Sequence, residues 1–283
     1  NSHIVYSAYK REQRRYIKTW IDPGNKLPIY THNGLEGHII PKNEQNGKVE
    51  IELQDTYGNT SLIDFTIVGK NASLKPDSIK GELFDYNHFN RFANDSVRLE
   101  IPAGALYSDF RFEYRTEKAS GAFFSNYHFL HNNTVPLHKN ATIAIRTDSL
   151  PAHLESKVVM AYVNPVTGEF SAAGGRYQYG WVTTETTNLG VYAVTVDTIP
   201  PEIVQLSIAD NKLTEANRIR FKIKDDLAGI NTIEGLLDGR WALFEYDPKT
   251  ATITHYFDKE RFEMGKNHTF KLTITDYRNN NAV

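Results

Sequence analysis

An all-β architecture of tandem antiparallel β-sandwich modules is what this sequence predicts, on three observations. A strand-and-turn phrase occurs twice, at Val49–Asn59 and at Phe270–Asn280. Each copy alternates apolar and polar side chains and then reaches an Asp and an Asn or Gly cluster suited to capping a turn, as in the late strand of a sandwich. Short alternating runs recur through the middle of the chain, separated by breaks such as Asn164-Pro165, Thr167-Gly168 and Gly174-Gly175. Finally, 283 residues, 40% of them apolar, exceed what one core usually occupies and leave room for two or three domains.

Taken in order, the elements divide the chain at about residues 70 and 197. The 1–70 module is short for an independent sandwich, so it is expected to lack strands that lie upstream. The opening Asn1-Ser2-His3 lacks an initiator Met and reads as the remainder of a processed or truncated chain. After Phe65–Lys70, the segment through Asp77 is rich in Gly, Asn, Ser and Pro and marks the weaker boundary. In the 71–196 module, Val97–Ile101 alternates and stops at Pro102-Ala103-Gly104. Phe110–Tyr114 places aromatics on one face, and Ala141–Ile145, Lys157–Val163 and Gly190–Val196 continue the strands. Helix is not expected beyond short turns. Pro200-Pro201 denies backbone donors to a central ladder and suits a junction, so 197–283 is expected to be a separate, immunoglobulin-like sandwich. Within it, Arg218–Lys224 leads to Asp225-Asp226, a hairpin turns at Asp238-Gly239, another turn falls at Asp247-Pro248, and Thr269–Thr275 closes the pattern.

Composition narrows the partners. A formal charge of -2 offers no concentrated positive field, so nucleic acid is not expected; the one basic run, Lys10–Arg15, reads as a solvated strand or turn. With no Cys there are no disulfides or thiolate metal sites, which fits a reducing compartment or export from a bacterium that uses few disulfides. No apolar run is long enough for a transmembrane segment, and the start carries no signal sequence.

The search for chemistry yields little. Asp225, Asp226 and Asp276 are hard oxygen donors that would suit Ca²⁺ if they converged, but they form no contiguous calcium loop, and turn capping is the favoured explanation. His128, His131 and His138 lack a closely spaced carboxylate to complete a zinc set. Neither a phosphate loop nor a nucleophile elbow is present, and scattered carboxylates alone diagnose no glycosidase pair. No catalytic residue, metal site or cofactor is therefore assigned. Tyr177, Tyr179 and Trp181 read as alternating on one strand face, with Gln178 and Gly180 pointing away; they are candidate ligand-binding aromatics, with sandwich burial as the competing reading. Trp241 reads as a core or rim anchor rather than a sugar platform.

Several phrases resemble a known family. Tyr16–Tyr30 and Asp55–Asn59, with Asp197–Pro201, Lys224–Ile230 and Asp238–Trp241 in the tail, are similar to the noncatalytic region downstream of the peptidase domain in Bacteroidetes proteins with a lysostaphin-type zinc endopeptidase. Ile101–Tyr107 resembles the opening of the ZU-type β-sandwich of ankyrins and netrin receptors. The His-Xaa-Xaa-Xaa-Asp and His-Xaa-His patterns that the peptidase needs do not occur, so no catalytic residue carries over. The resemblance implies a noncatalytic envelope scaffold or recognition region, located in the periplasm or outer envelope, with peptidoglycan, a glycan or an envelope protein as partner. A stand-alone glycan-binding or adhesive module is the alternative.

Overall fold

The computed structural model describes residues 3–31, 35, 37–39, 45–69, 80–209, 214–258, 260, 263 and 265–283. The boundary expected near residue 70 and the opening Asn1-Ser2 lie outside them. Among the described residues the fold is all-β, with tandem sandwiches as expected, apart from a 3-10 turn at Ala152–Lys157 and a short α-helix that the sequence reading missed. This helix, α1 (Tyr6–Glu12), takes in part of the Lys10–Arg15 run: Lys10 and Arg11 occupy its last turn, where cations favour the carbonyl end of the helix dipole. Gln13 ends it in a left-handed conformation and donates its N–H to the Tyr9 carbonyl. The chain then folds back, pairing Ile17 with Ile4, and docks on the middle sandwich through Gly24 N–H to Tyr107 O at 2.7 Å. A Cβ at Gly24 would lie 2.4 Å from the Leu106 carbonyl oxygen, so this approach requires glycine.

β1 (Asn46–Gln54) and β2 (Thr60–Val68) form a hairpin that is a two-stranded sheet among the described residues. Its register sets Val49 opposite Phe65 and Ile51 opposite Ile63, gathering the apolar side chains on one face, while Lys48 pairs with Glu50 and Asp64 on the other.

The middle sandwich begins with β3 (Glu82–Phe84), β4 (Asn90–Ala93), β5 (Val97–Ile101), β6 (Phe110–Phe112), β7 (Tyr114–Glu117) and β8 (Tyr127–Leu130). It continues with β9 (Pro136–Arg146), β10 (Val158–Val163), β11 (Phe170–Ala172), β12 (Arg176–Gln178), β13 (Trp181–Asn188) and β14 (Gly190–Val196). One sheet has the order β11-β10-β14-β8-β7 and the other β12-β13-β9-β5-β4, with β3-β6 as a small ribbon. The expected single strand Phe110–Tyr114 is divided at Glu113, because β6 pairs with β3 while β7 turns to pair with β8. Alternation decides the core: Val97, Leu99 and Ile101 on β5 and Ile143 and Ile145 on β9 meet Leu130, Met160, Tyr192 and Val194 from the opposite sheet. The outer face of that opposite sheet holds a smaller cluster of Phe129, Ala161, Val163, Val191 and Ala193.

The last sandwich comprises β15 (Glu202–Gln205), β16 (Arg218–Lys224), β17 (Ile230–Leu237), β18 (Arg240–Ala242), β19 (Glu245–Asp247), β20 (Thr252–Tyr256), β21 (Phe270–Asp276) and β22 (Asn281–Ala282). The orders β15-β16-β20-β19 and β18-β17-β21-β22 reproduce the A-B-E-D and C-F-G sheets of an immunoglobulin domain, with an added strand beside C. Ile219, Phe221, Ile223 and Ile253 face Leu272 and Ile274 across its core. Trp241 is not an anchor here, contrary to the sequence reading. Its neighbour Ala242 points inward, leaving Trp241 63% exposed, and Phe244 fills the core above Gly235.

Candidate ligand cleft and acidic junction

The first candidate is a cleft of about 770 Å³ at one end of the middle sandwich. The alternation of β6 and β7 builds one wall, where Phe112 stacks on Phe84 with ring centroids 4.6 Å apart and Phe92 packs against Tyr114 at 4.8 Å. Tyr114 is fixed by its hydroxyl, 2.9 Å from Nδ1 of the buried His128. Across the cleft, the Tyr162 ring stands where a side chain at residue 190 would be. A Cβ on Gly190 would lie 2.8 Å from that ring, and φ at 190 is 145°, so only glycine allows this wall. Glu113, His131, Asn132 and Asn133 bring polar groups to the rim. His131 sits in the left-handed region at φ 60°, held by its N–H bonding to Glu113 O at 2.9 Å. Burial lowers its pKa, partly offset by the Glu113 charge. Arg115 lies over Phe129, its guanidinium carbon 3.3 Å from the ring centroid, and ion-pairs with Glu117.

The second candidate is the junction between the two sandwiches. The repeated phrase takes the same form in both copies. Asp276 Oδ1 accepts the N–H groups of Arg278 and Asn280 while its Oδ2 accepts from the Asn280 side chain, just as Asp55 does with Tyr57 and Asn59. In the second copy this turn is buried against the end of the middle sandwich. Asn280 Nδ2 donates to the Asp197 carbonyl at 3.0 Å, and Lys157 Nζ reaches Asn280 Oδ1 at 2.6 Å and the Arg278 carbonyl at 2.7 Å. Arg278 in turn donates to the Gly175 carbonyl at 2.9 Å, and Asp197 accepts the Ala228 N–H at 2.8 Å.

This packing places one carboxylate oxygen from each of Asp197, Asp225 and Asp276 within 4.8 Å of the others. Such a set would offer a divalent cation hard donors. The carboxylates are already occupied as turn caps, however: Asp225 Oδ2 accepts from Leu227 and Gly229, and Asp197 Oδ1 from Ile199. Burial raises the Asp225 pKa, and the Asp197 and Asp276 charges add to the rise. Because the folded value is raised, the stability Asp225 contributes is fully present below its unfolded pKa and is lost as pH rises through the folded one. Asp225→Asn is therefore expected to equal or exceed the wild-type urea midpoint at pH 7 and to lose that advantage near pH 3. A lower midpoint at pH 7 would contradict the assigned repulsion.

The sequence-predicted residues distribute unevenly. Asp225 and Asp276 come together as envisaged, but Asp226 turns outward to pair with Lys224, and Asp197, read only as a linker residue, takes the third place. The clue to the junction was the repeat itself, with Asn280 as the counterpart of Asn59. Tyr177, Tyr179 and Trp181 do not share a strand face. Tyr179 and Gly180 form the β12–β13 turn with φ of 50° and 81°, and Trp181 lies opposite Gln178. Tyr177 therefore packs on the core with Val182, Trp181 points the other way beneath Arg98 at 4.1 Å, and Tyr179 is 90% exposed at the tip. The histidines go to separate places: His128 inside the sandwich, His131 at the cleft, and His138 stacked on Tyr107 at 4.1 Å.

No helix among the described residues is long and apolar enough to cross a membrane. No curated protein matches the chain. Residues 81–197 match the family model described as the Zu5-like domain, and the phrase Ile101–Tyr107 falls within the match. In the fold, that phrase ends β5 and buries Ala105 and Leu106, with His138 N–H bonded to the Ala105 carbonyl. A Zu5-like domain thus occupies residues 81–197 of this tandem β-sandwich chain.

Proposed function

We propose that this chain is a noncatalytic scaffold and recognition region of the cell envelope, holding β-sandwich modules in fixed relation beside a peptidoglycan endopeptidase. Its division into modules at 1–70, 71–196 and 197–283 is part of the proposal. The observation that carries it is the interlocked junction, in which Lys157, Asp197, Arg278 and Asn280 bond across two sandwiches. Buried hydrogen bonds of this kind orient one module on the next, as a spacer requires. The likeness of Tyr16–Tyr30 and the tail phrases to envelope peptidase proteins supports the location and the partner.

Incubated with purified peptidoglycan and zinc, the chain should release no soluble fragments; reproducible zinc-dependent release would overturn the noncatalytic assignment. Asn280→Ala removes the amide bonded to Asp197 and Lys157. It should broaden the distance distribution between the two sandwiches in small-angle scattering, and an unchanged distribution would remove the rigid-spacer element. A second reading, glycan binding, is favoured by the aromatic cleft at the end of the middle sandwich.

A further inference from the structure

We propose that this cleft is a binding site for a short neutral oligosaccharide; the inference rests on the glycan-binding reading and moves its site away from Tyr177, Tyr179 and Trp181. A volume of about 770 Å³ lies in the range of small-molecule sites and accommodates more than one sugar ring. A pyranose presents an apolar C–H face and an edge of hydroxyls, and the cleft offers a surface for each. Tyr114 and Tyr162 are half-buried aromatic walls. On the rim, the side chains of Glu113 and Asn133 make no hydrogen bond or ion pair among the described residues. The Asn132 carbonyl oxygen is taken by Thr134, which leaves its NH₂ free to donate. A carboxylate beside two amides can both accept from and donate to hydroxyl groups.

The charges argue for a neutral ligand. Arg115 lines the cleft, but it is held over Phe129 and paired with Glu117, so it is poorly placed to receive an anion. Lys80 lines the same opening as Glu82 and Glu113, one cation against two carboxylates, so the opening carries no surplus positive charge for an anion. Burial keeps the His131 imidazole neutral at neutral pH, able to donate from one nitrogen and accept at the other.

The test is calorimetric titration of the full chain with three probes: the β-1,4-linked N-acetylglucosamine tetramer, cellotetraose and tetragalacturonate. Binding of at least one neutral tetramer is expected. It should weaken at least about tenfold in the Glu113→Gln/Asn133→Ala double variant, the loss of roughly two modest hydrogen bonds. Both residues are exposed, so this variant should keep the fold. Gly190→Ala, which drives the Tyr162 wall aside, should weaken binding as much, and Trp181→Ala should leave it unchanged. If the cleft variants bind like wild type while Trp181→Ala loses affinity, the cleft assignment is overturned and the glycan-binding reading survives on the hairpin. Failure of both neutral tetramers to bind would overturn the two together, and a preference for tetragalacturonate would overturn the neutral class.

Discussion

Acidification from about pH 6.5 to pH 4 is expected to destabilise the middle sandwich by about 3 kcal/mol through His128 alone. The side chain is 1% exposed, and burial pushes its pKa down to about 4. In that window the unfolded chain takes up a proton that the folded protein refuses, so stability falls as pH falls, by about 1.4 kcal/mol for each unit between the two values. Neutral His128 also holds the Tyr114 hydroxyl at 2.9 Å, so protonation changes a contact that fixes one cleft wall. His128→Asn keeps a polar partner for that hydroxyl but has no proton to gain. It should be less stable than wild type at pH 7 because it leaves space in the core, yet its stability should decline less between pH 6.5 and 4. Urea titrations of both proteins across this range give the difference in slope. Parallel profiles would mean that the acid sensitivity lies elsewhere.

Asp276→Ala is expected to cost the last sandwich about 3 kcal/mol, because it orphans donors at the junction, the two of Asn280 fully inside it. Asp276 is fully buried and accepts from the Arg278 N–H, the Asn280 N–H and the Asn280 side chain. Relief of repulsion with Asp197 and Asp225 offsets part of the loss without cancelling it. Three hydrogen bonds to a carboxylate outweigh the two like-charge contacts in a cluster that Lys157 and Arg278 already border. Asp55→Ala removes the same set of bonds from the exposed first copy, where water can replace them, and should cost only a small fraction as much. Chemical denaturation of the two variants compares one motif in two environments. Equal losses would show that local turn geometry, rather than burial at the junction, sets the energy.

That comparison also shows how far sequence reading reached. The turn is local: an Asp, two intervening residues, a position tolerant of positive φ and an Asn suffice to close it. Both copies were therefore visible in the chain and both took the same shape, Gly58 at φ 84° and Asn279 at φ 57°. Period-two alternation likewise announced β5, β9, β16 and β21, because each has one face in a core and the other more exposed, whereas β14 is covered on both faces and reads as a nearly continuous apolar run. It failed at Phe110–Tyr114, where Glu113 passes the chain from one partner strand to another, and at Tyr177–Trp181, where a two-residue turn resembles continued alternation. Residue type alone does not distinguish a strand from a tight hairpin when a Tyr occupies the left-handed position.

By itself, then, the sequence determined the all-β class, the run of modules, the turn chemistry and much of the inward-facing apolar set, all of which follow from interactions between residues close in the chain. The tertiary structure alone decided that Asp197 joins Asp225 and Asp276 while Asp226 leaves, that Lys157 and Gly175 meet the turn at 278–280, and that Gly190 makes room for Tyr162. Those contacts join residues that are up to 123 positions apart along the chain. They depend on how one sandwich end seats against the next and on which sheet edges meet, and no local periodicity encodes either.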